Sequence, residues 1–546
     1  MRSLNLIFLF ILITVLPPVP GQSQTSLPND TSLSKNLNIF SSVYRKVISD
    51  AAETIDPYLF MVTGMNHMLQ TVDPYTVFLT EEEVNELRMG LSGKFGGIGI
   101  GLGYSRDGIF IKETFAGGPA ERAGLRAADL ILDVNGTSTI GIPFDNIFSL
   151  LRGNPGTQVT ITVKHVNEQT ATYHIKREQI YISPIRYYGM LTDQIAYIQL
   201  SRVTDSCSYE VAKALKELND KYHFKSLVFD VRGNEGGYMR EAIRIANLFL
   251  PKKTLLVQER GRTSDTSFYA NADAVFPTTP LVLLTDGNTV SSGEILTGAL
   301  QDNDRAVLIG QKTFGKGLIQ RLFDMPNSTQ LKLTTARYHT PSGRCIQELR
   351  YNNGNGAQYA DSLKKEFKSR NGRSLYSNGG ISPDIKMYRK EIPAIVMRLD
   401  EDLLLFDFAT QYEKTHPSIA SSKSFHLSDA DYEAFVAFVK SRKYVYKTET
   451  EKKFENFKQT AIEEGYWNEI QNDYGQMQQK LDLLRTNNLI INKLAVKKAL
   501  EQEIISRYYR QKGRYEAILQ SDMEVQKAIE ILKDPGTYNK ILQTSN

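Results

Sequence analysis

The chain has 546 residues, of which 41% are hydrophobic and 23% are charged, a composition that is ordinary for globular proteins and allows three or four domains. Its 65 Lys and Arg residues nearly balance its 61 Asp and Glu residues, giving a formal net charge of +4. This balance shows no electrostatic footprint of a nucleic-acid-binding protein, and two cysteines are too few for a disulfide framework.

The first 24 residues are typical of a secretory signal peptide. Arg2 precedes an apolar run from Leu6 to Leu16, and Pro and small residues follow as far as Gly21. The run is shorter than the roughly 20 apolar residues that a membrane-spanning helix needs. We therefore expect an exported chain, periplasmic or otherwise extracytoplasmic, with no stable membrane span after signal cleavage. An uncleaved anchor is the alternative.

Residues 32–92 have the pattern of an N-terminal helical region, since apolar residues recur every three or four positions. A turn at Asp73-Pro74 divides this region. Thr80 and Glu83 then form the pattern of a capping box, in which each side chain accepts a hydrogen bond from the other residue's backbone N–H. We predict a structural role for the region.

The next segment, residues 93–179, changes to short alternating strands and glycine turns, such as the predicted strand Gly108–Lys112. Two short helices, one of them over Phe144–Leu151, complete a compact β domain. From 180 to 388 strands and helices alternate, which predicts an α/β architecture around a buried, partly parallel sheet. Residues 389–546 have the periodicity of amphipathic helices.

Chemistry in such a sheet takes place at the carboxyl ends of the strands. Three predicted loops lie there: Asp230–Gly237, Asp286–Ile295 and Gly310–Gln320. In the first loop, Gly236 and Gly237 either turn the backbone into a helix or present unobstructed N–H groups to a developing oxyanion.

The second and third loops each allow two interpretations. Ser291 lies three residues before Glu294, so it either caps a helix or acts as a nucleophile at the positive end of the helix dipole. The pattern from Gly310 to Lys316 resembles a phosphate-binding loop, but Gly317 stands where that motif has the Ser or Thr that binds magnesium. We therefore disfavour nucleotide binding.

A serine hydroxyl needs a base to remove its proton, and His is the commonest base. None of the seven His residues lies within the three loops. Lys316 can replace His where burial lowers its pKa, because desolvation disfavours the ammonium form. If a strand starts after Lys316, Gln320 points to the same face and can orient the amine by a hydrogen bond.

With these residues in place, the chain resembles the C-terminal processing peptidases, also called tail-specific proteases. The ordered motifs that carry the resemblance are Asp73–Leu79, the PDZ-like segment Gly93–Gln179, Thr334–Tyr338, Thr340–Arg344 and Gly380–Ile385. The resemblance implies a ClpP/crotonase-like α/β peptidase core over residues 180–388, with an inserted β-rich PDZ domain and helical regions at both ends.

By this resemblance, Ser291 is the nucleophile, Lys316 is the general base and Gln320 positions the base. The separation of 25 residues, from 291 to 316, matches that of the family and selects Ser291 over its neighbour. The resemblance also implies which residues form the oxyanion hole and which support the site. The oxyanion hole is expected to consist of Gly236, Gly237 and Ser292. The supporting residues are expected to be Arg232, Glu294, Asp302 and Thr313.

Two departures from the family pattern concern the rigidity of the loops. Glu235 stands where the family usually has Pro, and Thr289–Gly293 replaces a more regular Ser-Ala alternation. The PDZ module of the family captures the free carboxyl end of a substrate by strand addition. The residues that match its carboxylate-binding loop and its apolar pocket are Phe95, Gly96, Gly97 and Ile98, and Ile147 and Leu151. A PDZ domain that only braces the core is the alternative.

The resulting prediction is an exported serine endopeptidase that cleaves proteins near their C-termini. The predicted partners are protein or peptide substrates held by their C-termini, and not nucleic acid; a homo-oligomer or an adaptor contact through the C-terminal helices is open. The resemblance implies no metal or organic cofactor, and whether Cys207 and Cys345 pair is also open. The alternative from another class is a catalytically silent PDZ adaptor that binds protein tails.

Overall fold

The computed structural model describes residues 31–105, 107–352, 355–358, 363–388 and 391–543. The predicted signal peptide, residues 1–24, lies outside the described residues. The chain divides into two compact units. The first contains the chain up to Lys94, Ile182–Tyr388 and the segment from Lys527, and the second contains Phe95–Tyr181 and Arg389–Gln526.

The N-terminal part of the first unit is helical, as its apolar spacing predicts. Its elements are α1 (Thr31–Asp50), α2 (Pro57–Gln70), β1 (Val77–Leu79) and α3 (Glu81–Ser92). The predicted capping box is confirmed at the start of α3. Thr80 Oγ1 accepts a hydrogen bond from the Glu83 N–H (3.3 Å), and Glu83 Oε2 accepts one from the Thr80 N–H (2.8 Å). The sequence pattern does not predict the short strand β1.

The second unit begins with a β domain of short strands and two short helices, as predicted. Its elements are β2 (Lys94–Gly97), β3 (Ile100–Ser105), β4 (Gly108–Thr114), α4 (Pro119–Ala123), β5 (Leu130–Val134), β6 (Thr137–Ser138), α5 (Phe144–Leu151), β7 (Gln158–Lys164), β8 (Thr170–Lys176) and β9 (Glu178–Tyr181). The main sheet has the order β3-β4-β5-β7-β8 and all its pairs are antiparallel. Strand β3 therefore lies at the edge of this sheet.

The first unit continues with alternating strands and helices. Its elements are β10 (Ile185–Met190), β11 (Ile195–Leu200), α6 (Cys207–Tyr222), β12 (Ser226–Asp230), α7 (Met239–Asn247), β13 (Leu255–Gly261), β14 (Asp265–Tyr269), β15 (Leu281–Thr285), α8 (Ser292–Asp302), β16 (Val307–Gly310), β17 (Leu318–Asp324), β18 (Gln330–His339), β19 (Leu349–Asn352), β20 (Asn355–Gln358), β21 (Glu366–Lys368), β22 (Ser374–Tyr376) and β23 (Ile385–Lys386). A six-stranded sheet has the order β10-β11-β12-β15-β16-β23 and is parallel except at β10–β11. The prediction of an α/β architecture with a partly parallel sheet is confirmed.

The centre of this sheet is fully buried. Every residue of β12 and β15 is buried, as expected for parallel strands covered on both faces. One apolar cluster joins these strands to helices α6, α7 and α8. Burying a Leu, Val or Phe side chain stabilises a fold by roughly 1.5–3 kcal/mol, so the cluster holds the strands firmly. The loops that follow Asp230 and Thr285 therefore start from fixed points.

The first unit also contains a second sheet that is antiparallel, and the sequence pattern does not predict it. Its order is β1-β18-β13-β14, and β17 also pairs with β18. Val77 of β1 lies opposite Lys332 of β18, so the sheet joins segments 255 positions apart in the chain (332 minus 77). Two small hairpins, β19–β20 and β21–β22, follow.

The C-terminal part of the chain is helical, as predicted. Its helices are α9 (Ala394–Glu401), α10 (Leu404–Thr415), α11 (Asp429–Ser441), α12 (Glu449–Glu463), α13 (Trp467–Thr486), α14 (Asn488–Ile491), α15 (Lys493–Gln520), α16 (Met523–Lys533) and α17 (Pro535–Leu542). The chain returns to the first unit at Lys527. Within this last segment the Tyr538 hydroxyl donates a hydrogen bond to the Leu281 carbonyl (3.2 Å). Among the described helices, none has both the length and the apolar character that crossing a membrane requires. Cys207 and Cys345 are free thiols.

Candidate active site

Ser291 occupies a sharp turn between strand β15 and helix α8. Its backbone angles are φ 59° and ψ −117°. Residues other than glycine rarely adopt a positive φ. Such a residue costs on the order of 1–3 kcal/mol and persists only where its surroundings hold it. The adjacent Val290 N–H donates to the Asn234 carbonyl (2.8 Å), which ties the turn to the loop after β12. A strained strand-to-helix turn is how α/β-hydrolases present a nucleophilic serine.

The Glu294 half of the predicted capping box is present at the start of α8, since Glu294 Oε2 accepts a hydrogen bond from the Ser291 N–H (2.9 Å), whereas the Ser291 hydroxyl makes no hydrogen bond to the helix. The Glu294 N–H donates to the backbone carbonyl of Ser291 (2.8 Å), and Ser291 Oγ has no hydrogen-bond partner among the described residues. The residue is also fully buried. A buried hydroxyl without a partner costs free energy, so such a group needs a reason, and a catalytic role is one.

Lys316 is fully buried in the loop before strand β17. The pKa of its amine is lowered from 10.5 to about 7, mainly by burial and also by the neighbouring Lys332, while Asp73 and Glu294 act in the opposite direction. Desolvation outweighs the two carboxylates because water is excluded from the ammonium form. A lysine with a pKa near 7 is a suitable general base at neutral pH.

Glu294 joins the serine turn to the lysine loop. Its Oε2 accepts hydrogen bonds from the backbone N–H groups of both Ser291 and Lys316, each at 2.9 Å, so these two nitrogens lie at most 5.8 Å apart (twice 2.9 Å). Its Oε1 accepts from the Thr313 hydroxyl (2.6 Å) and the Gly315 N–H (2.7 Å). Burial raises the pKa of Glu294 to about 7 against the lowering effect of these bonds. One carboxylate therefore holds both loops of the site.

Gly236 lies against the serine turn and Gly237 against Val203, and both positions require glycine. Their φ values are 88° and 141°. A Cβ on Gly236 would lie 2.9 Å from the Cβ of Ser291, and one on Gly237 would lie 2.0 Å from the carbonyl oxygen of Val203. The Gly236 N–H donates to Asn234 Oδ1 (3.0 Å). The backbone of this loop thus approaches the serine more closely than any side chain would allow.

Two of the predicted supporting residues form buried ion pairs around the site. Arg232 pairs with Asp230 at the end of β12 (2.6 Å), and Asp302 pairs with Arg344 at the end of α8 (2.7 Å). These contacts brace the first loop and the far end of the helix. Glu235, at the position of the usual Pro, forms a partly exposed ion pair with Arg202 (2.5 Å).

Gln320 is fully buried in β17, but this conformation does not contain its expected hydrogen bond to the lysine amine. Its Nε2 donates to Thr334 Oγ1 (3.0 Å), while its Oε1 has no partner among the described residues. Lys316 precedes the strand, and the strand register shifts between Ile319 and Gln320. Simple alternation along a strand therefore does not fix the relation between the two side chains.

The residues predicted for tail binding lie together in the β domain of the second unit. The Gly96 carbonyl accepts from the Gly153 N–H (3.2 Å), and the Arg152 guanidinium lies 5.5 Å from the centre of the Phe95 ring. Phe95, Gly96 and Gly97 belong to strand β2 and Ile98 follows it, so three of the four residues predicted as a carboxylate-binding loop lie in a strand that pairs with β9. The apolar members of the set belong to the buried core of the domain: Ile98, Ile147 and Leu151.

Several residues at the site are not among those predicted from the sequence. Asn234 holds the glycine loop, and the Tyr338 hydroxyl donates to the Ser291 carbonyl (3.2 Å). Tyr75 and Lys332 lie near the lysine amine. Two of these, Tyr75 and Tyr338, belong to motifs that carried the family resemblance, and that was the available signal. Among the described residues, no group of three or more His, Cys, Asp or Glu side chains could hold a metal ion.

Three family models match separate parts of the chain. Peptidase family S41 matches residues 194–353, a PDZ domain model matches 111–165, and a model described as probable PDZ-protease, C-terminal helical domain, matches 395–532. A solved structure named photosystem II D1 C-terminal processing protease is 25% identical and covers 66% of this chain and 89% of its own, with a TM-score of 0.36.

Curated relatives agree with the family models. A carboxyl-terminal-processing protease from Synechocystis sp. is 35% identical over 296 residues, which is 53% of this chain and 68% of the relative. A probable CtpA-like serine protease from Staphylococcus aureus is 32% identical over 345 residues, which is 62% of this chain and 68% of the relative. The chain belongs to peptidase family S41 and is a serine-type peptidase of the C-terminal processing kind, with a PDZ domain and a C-terminal helical domain.

Proposed function

We propose that Ser291 and Lys316 form the catalytic pair of this peptidase. The observation that carries the proposal is a fully buried lysine with its pKa lowered to about 7, tied through Glu294 to the backbone of the serine. At pH 7 about half of such amines are neutral, whereas an exposed lysine with its ordinary pKa is neutral in fewer than about one molecule in a thousand. Burial therefore gives Lys316 the neutral amine that a general base needs at this pH.

The proposed reaction has two halves. In the first, Lys316 Nζ takes the Ser291 proton as Oγ bonds to the scissile carbonyl carbon, and the same proton then passes to the leaving amine as the C–N bond breaks. In the second, Lys316 takes a proton from a water molecule that attacks the acyl-enzyme, and returns it to Ser291 Oγ. The net result is hydrolysis of one peptide bond, with the enzyme restored.

We propose that the backbone N–H groups of Gly236, Gly237 and Ser292 stabilise the oxyanion of each half-reaction. The glycine loop lies against Ser291, and Ser292 begins helix α8, where N–H groups point out of the helix. In this conformation the Gly236 N–H donates to Asn234 Oδ1, so its participation requires that bond to be exchanged. We also propose that the buried, unpartnered Oε1 of Gln320 accepts a hydrogen bond from Lys316 during the reaction.

A phosphonate that reacts with activated serines tests the nucleophile and the base together. We expect a peptide-like fluorophosphonate to label Ser291, identified by mass spectrometry of the digested protein. The labelling rate should rise between pH 6 and pH 8 with a midpoint near 7, because the neutral form of Lys316 increases over that range. Labelling of another residue, or a rate that is flat over this range, would contradict the proposal.

The finer features of the function are also proposals. We propose that the PDZ domain, 93–179, binds the C-terminal tail of the substrate, which is then cut near its end. Two observations support this: β3 is an edge strand that can accept an added strand, and the glycine-containing segment Phe95–Ile98 directly precedes it in the chain. The remaining proposed divisions are an N-terminal helical region at 32–92, a peptidase core at 180–388 and a helical region at 389–546. Export by the segment 1–24 is proposed from sequence alone.

Tail capture is tested with two versions of one peptide. A peptide that ends in a free carboxylate should bind the Ser291→Ala protein at least ten-fold more tightly than the same peptide with a C-terminal amide, because backbone N–H groups bind the anion. Isothermal titration calorimetry measures both affinities. Equal affinities would show that the domain does not recognise a free carboxyl end.

A further inference from the structure

The segment Asp73–Leu79 has no role in the mechanism above, although it leads directly into the site. Tyr75 of this segment is only 3% exposed. The amine of Lys316 lies 4.4 Å from the centre of the Tyr75 ring. A residue from the N-terminal helical region therefore covers the side chain of the proposed base.

The structure holds the Tyr75 ring from two sides. Asp73 Oδ1 accepts hydrogen bonds from the N–H groups of Tyr75 (2.8 Å) and Thr76 (2.9 Å), which fixes the backbone in a tight turn. At the other end of the side chain, the hydroxyls of Tyr75 and Tyr351 lie 3.3 Å apart, and the two rings meet edge to face. The ring thus has little freedom to move away from the amine.

The same segment also contacts the residues that hold Gln320. Thr76 Oγ1 accepts a hydrogen bond from the Thr334 N–H (3.2 Å). The side chain of Thr334 in turn accepts one from Gln320 Nε2 (3.0 Å). The segment therefore reaches both the proposed base and the residue expected to orient it, through contacts that lie within the first unit.

We propose that Tyr75 is a positioning residue of the peptidase, whose ring excludes water from the amine of Lys316 and holds that amine in place. This inference rests on the proposed role of Lys316 as the base. It assigns to the N-terminal region a part in catalysis, where the sequence alone suggested a purely structural one.

Two opposing interactions decide whether removal of the Tyr75 ring raises or lowers the pKa of Lys316. The face of an aromatic ring attracts an ammonium group, whereas loss of hydration disfavours it. The other groups around the amine are Lys332, which lowers the pKa of Lys316, and Asp73 and Glu294, which raise it. Burial is the largest influence on the pKa of the amine, which falls to about 7, and the Tyr75 ring is one of the groups that bury it. We therefore expect the ring to act mainly by dehydrating the amine. Removal of the ring should admit water and restore part of the ordinary basicity.

The test compares the pH dependence of kcat/KM for casein digestion in the wild type, Tyr75→Ala and Tyr75→Phe. We expect the acid limb of Tyr75→Ala to move up by about one pH unit or more, which is a loss of about ten-fold at pH 6 that disappears above pH 9. Tyr75→Phe keeps the ring and should keep the wild-type profile. An unshifted acid limb in Tyr75→Ala would overturn the proposal.

Three controls separate the possible causes. Tyr351→Phe removes the hydroxyl partner and leaves the Tyr75 ring, so it should leave the acid limb unshifted. Tyr412→Ala removes a buried tyrosine of the helical domain and should also leave it unshifted, which excludes a general effect of a lost core side chain. If Tyr75→Ala does not fold by circular dichroism, Tyr75→Leu takes its place with the same expected direction. Wild-type activity in Lys316→Ala would instead reject the catalytic pair itself.

Discussion

Replacement of Ser291 by Ala is expected to lower the kcat/KM of casein digestion by at least about a thousand-fold, because no nucleophile remains to form the acyl-enzyme. Lys316→Ala should cause a loss of similar size, since the serine hydroxyl then keeps its proton. Residues that act as one unit are not additive, so the double variant should be no slower than either single variant. This pattern distinguishes a catalytic pair from two independent contributions.

The measurement needs a matched substitution and a chelator control. Ser374→Ala removes an exposed serine of the same unit and should digest casein at the wild-type rate. A chelator should have no effect on the wild type. Equal activity in the wild type, Ser291→Ala and Lys316→Ala would reject the mechanism.

Replacement of Glu294 by Ala is expected to have the second largest effect, on both activity and stability. The change leaves four buried donors without an acceptor: the Thr313 hydroxyl and the N–H groups of Ser291, Gly315 and Lys316. Each unsatisfied donor costs about 1–3 kcal/mol, and partial relaxation should leave a total loss of about 3–5 kcal/mol in the free energy of unfolding. With the serine turn and the lysine loop no longer joined, kcat/KM should fall at least about a hundred-fold.

Chemical denaturation and casein digestion measure the two effects of Glu294→Ala separately. Glu294→Gln serves as the matched variant, because it keeps the shape of the side chain and one of its two acceptor oxygens. Its losses should lie between those of the wild type and Glu294→Ala. If Glu294→Ala kept both its stability and its activity, the carboxylate could not be what holds the two loops together.

Much of the fold was accessible from local patterns in the sequence. The capping box of Thr80 and Glu83 depends on residues three positions apart, so it can be predicted from a short stretch of chain. The alternation of strands and helices likewise predicted the parallel sheet, because each β–α–β unit is continuous in sequence. The spacing of Ser291 and Glu294 placed Ser291 at the start of a helix. That spacing alone did not decide whether Ser291 is a helix cap or a catalytic nucleophile.

Other features depend on contacts between distant parts of the chain. Strand β1 exists because Val77 pairs with Lys332, and Tyr75 covers an amine 241 positions further along (316 minus 75). Neither contact leaves a local pattern. The sequence predicted that Gln320 and Lys316 point to the same face of one strand. This alternation does not apply, because the strand begins only at Leu318 and its register shifts before Gln320. Such relations are decided by packing and sheet register, which a single sequence does not report.

The buried lysine has a consequence for the whole fold. The pKa of Lys316 is about 7 in the folded chain, against 10.5 for its ordinary value, so the unfolded chain binds more protons between these two pH values. The free energy of unfolding therefore rises with pH across that window, and below pH 7 the residue weakens the fold by about 5 kcal/mol. An apolar side chain of similar size at this position would give a protein with a larger free energy of unfolding and no peptidase activity.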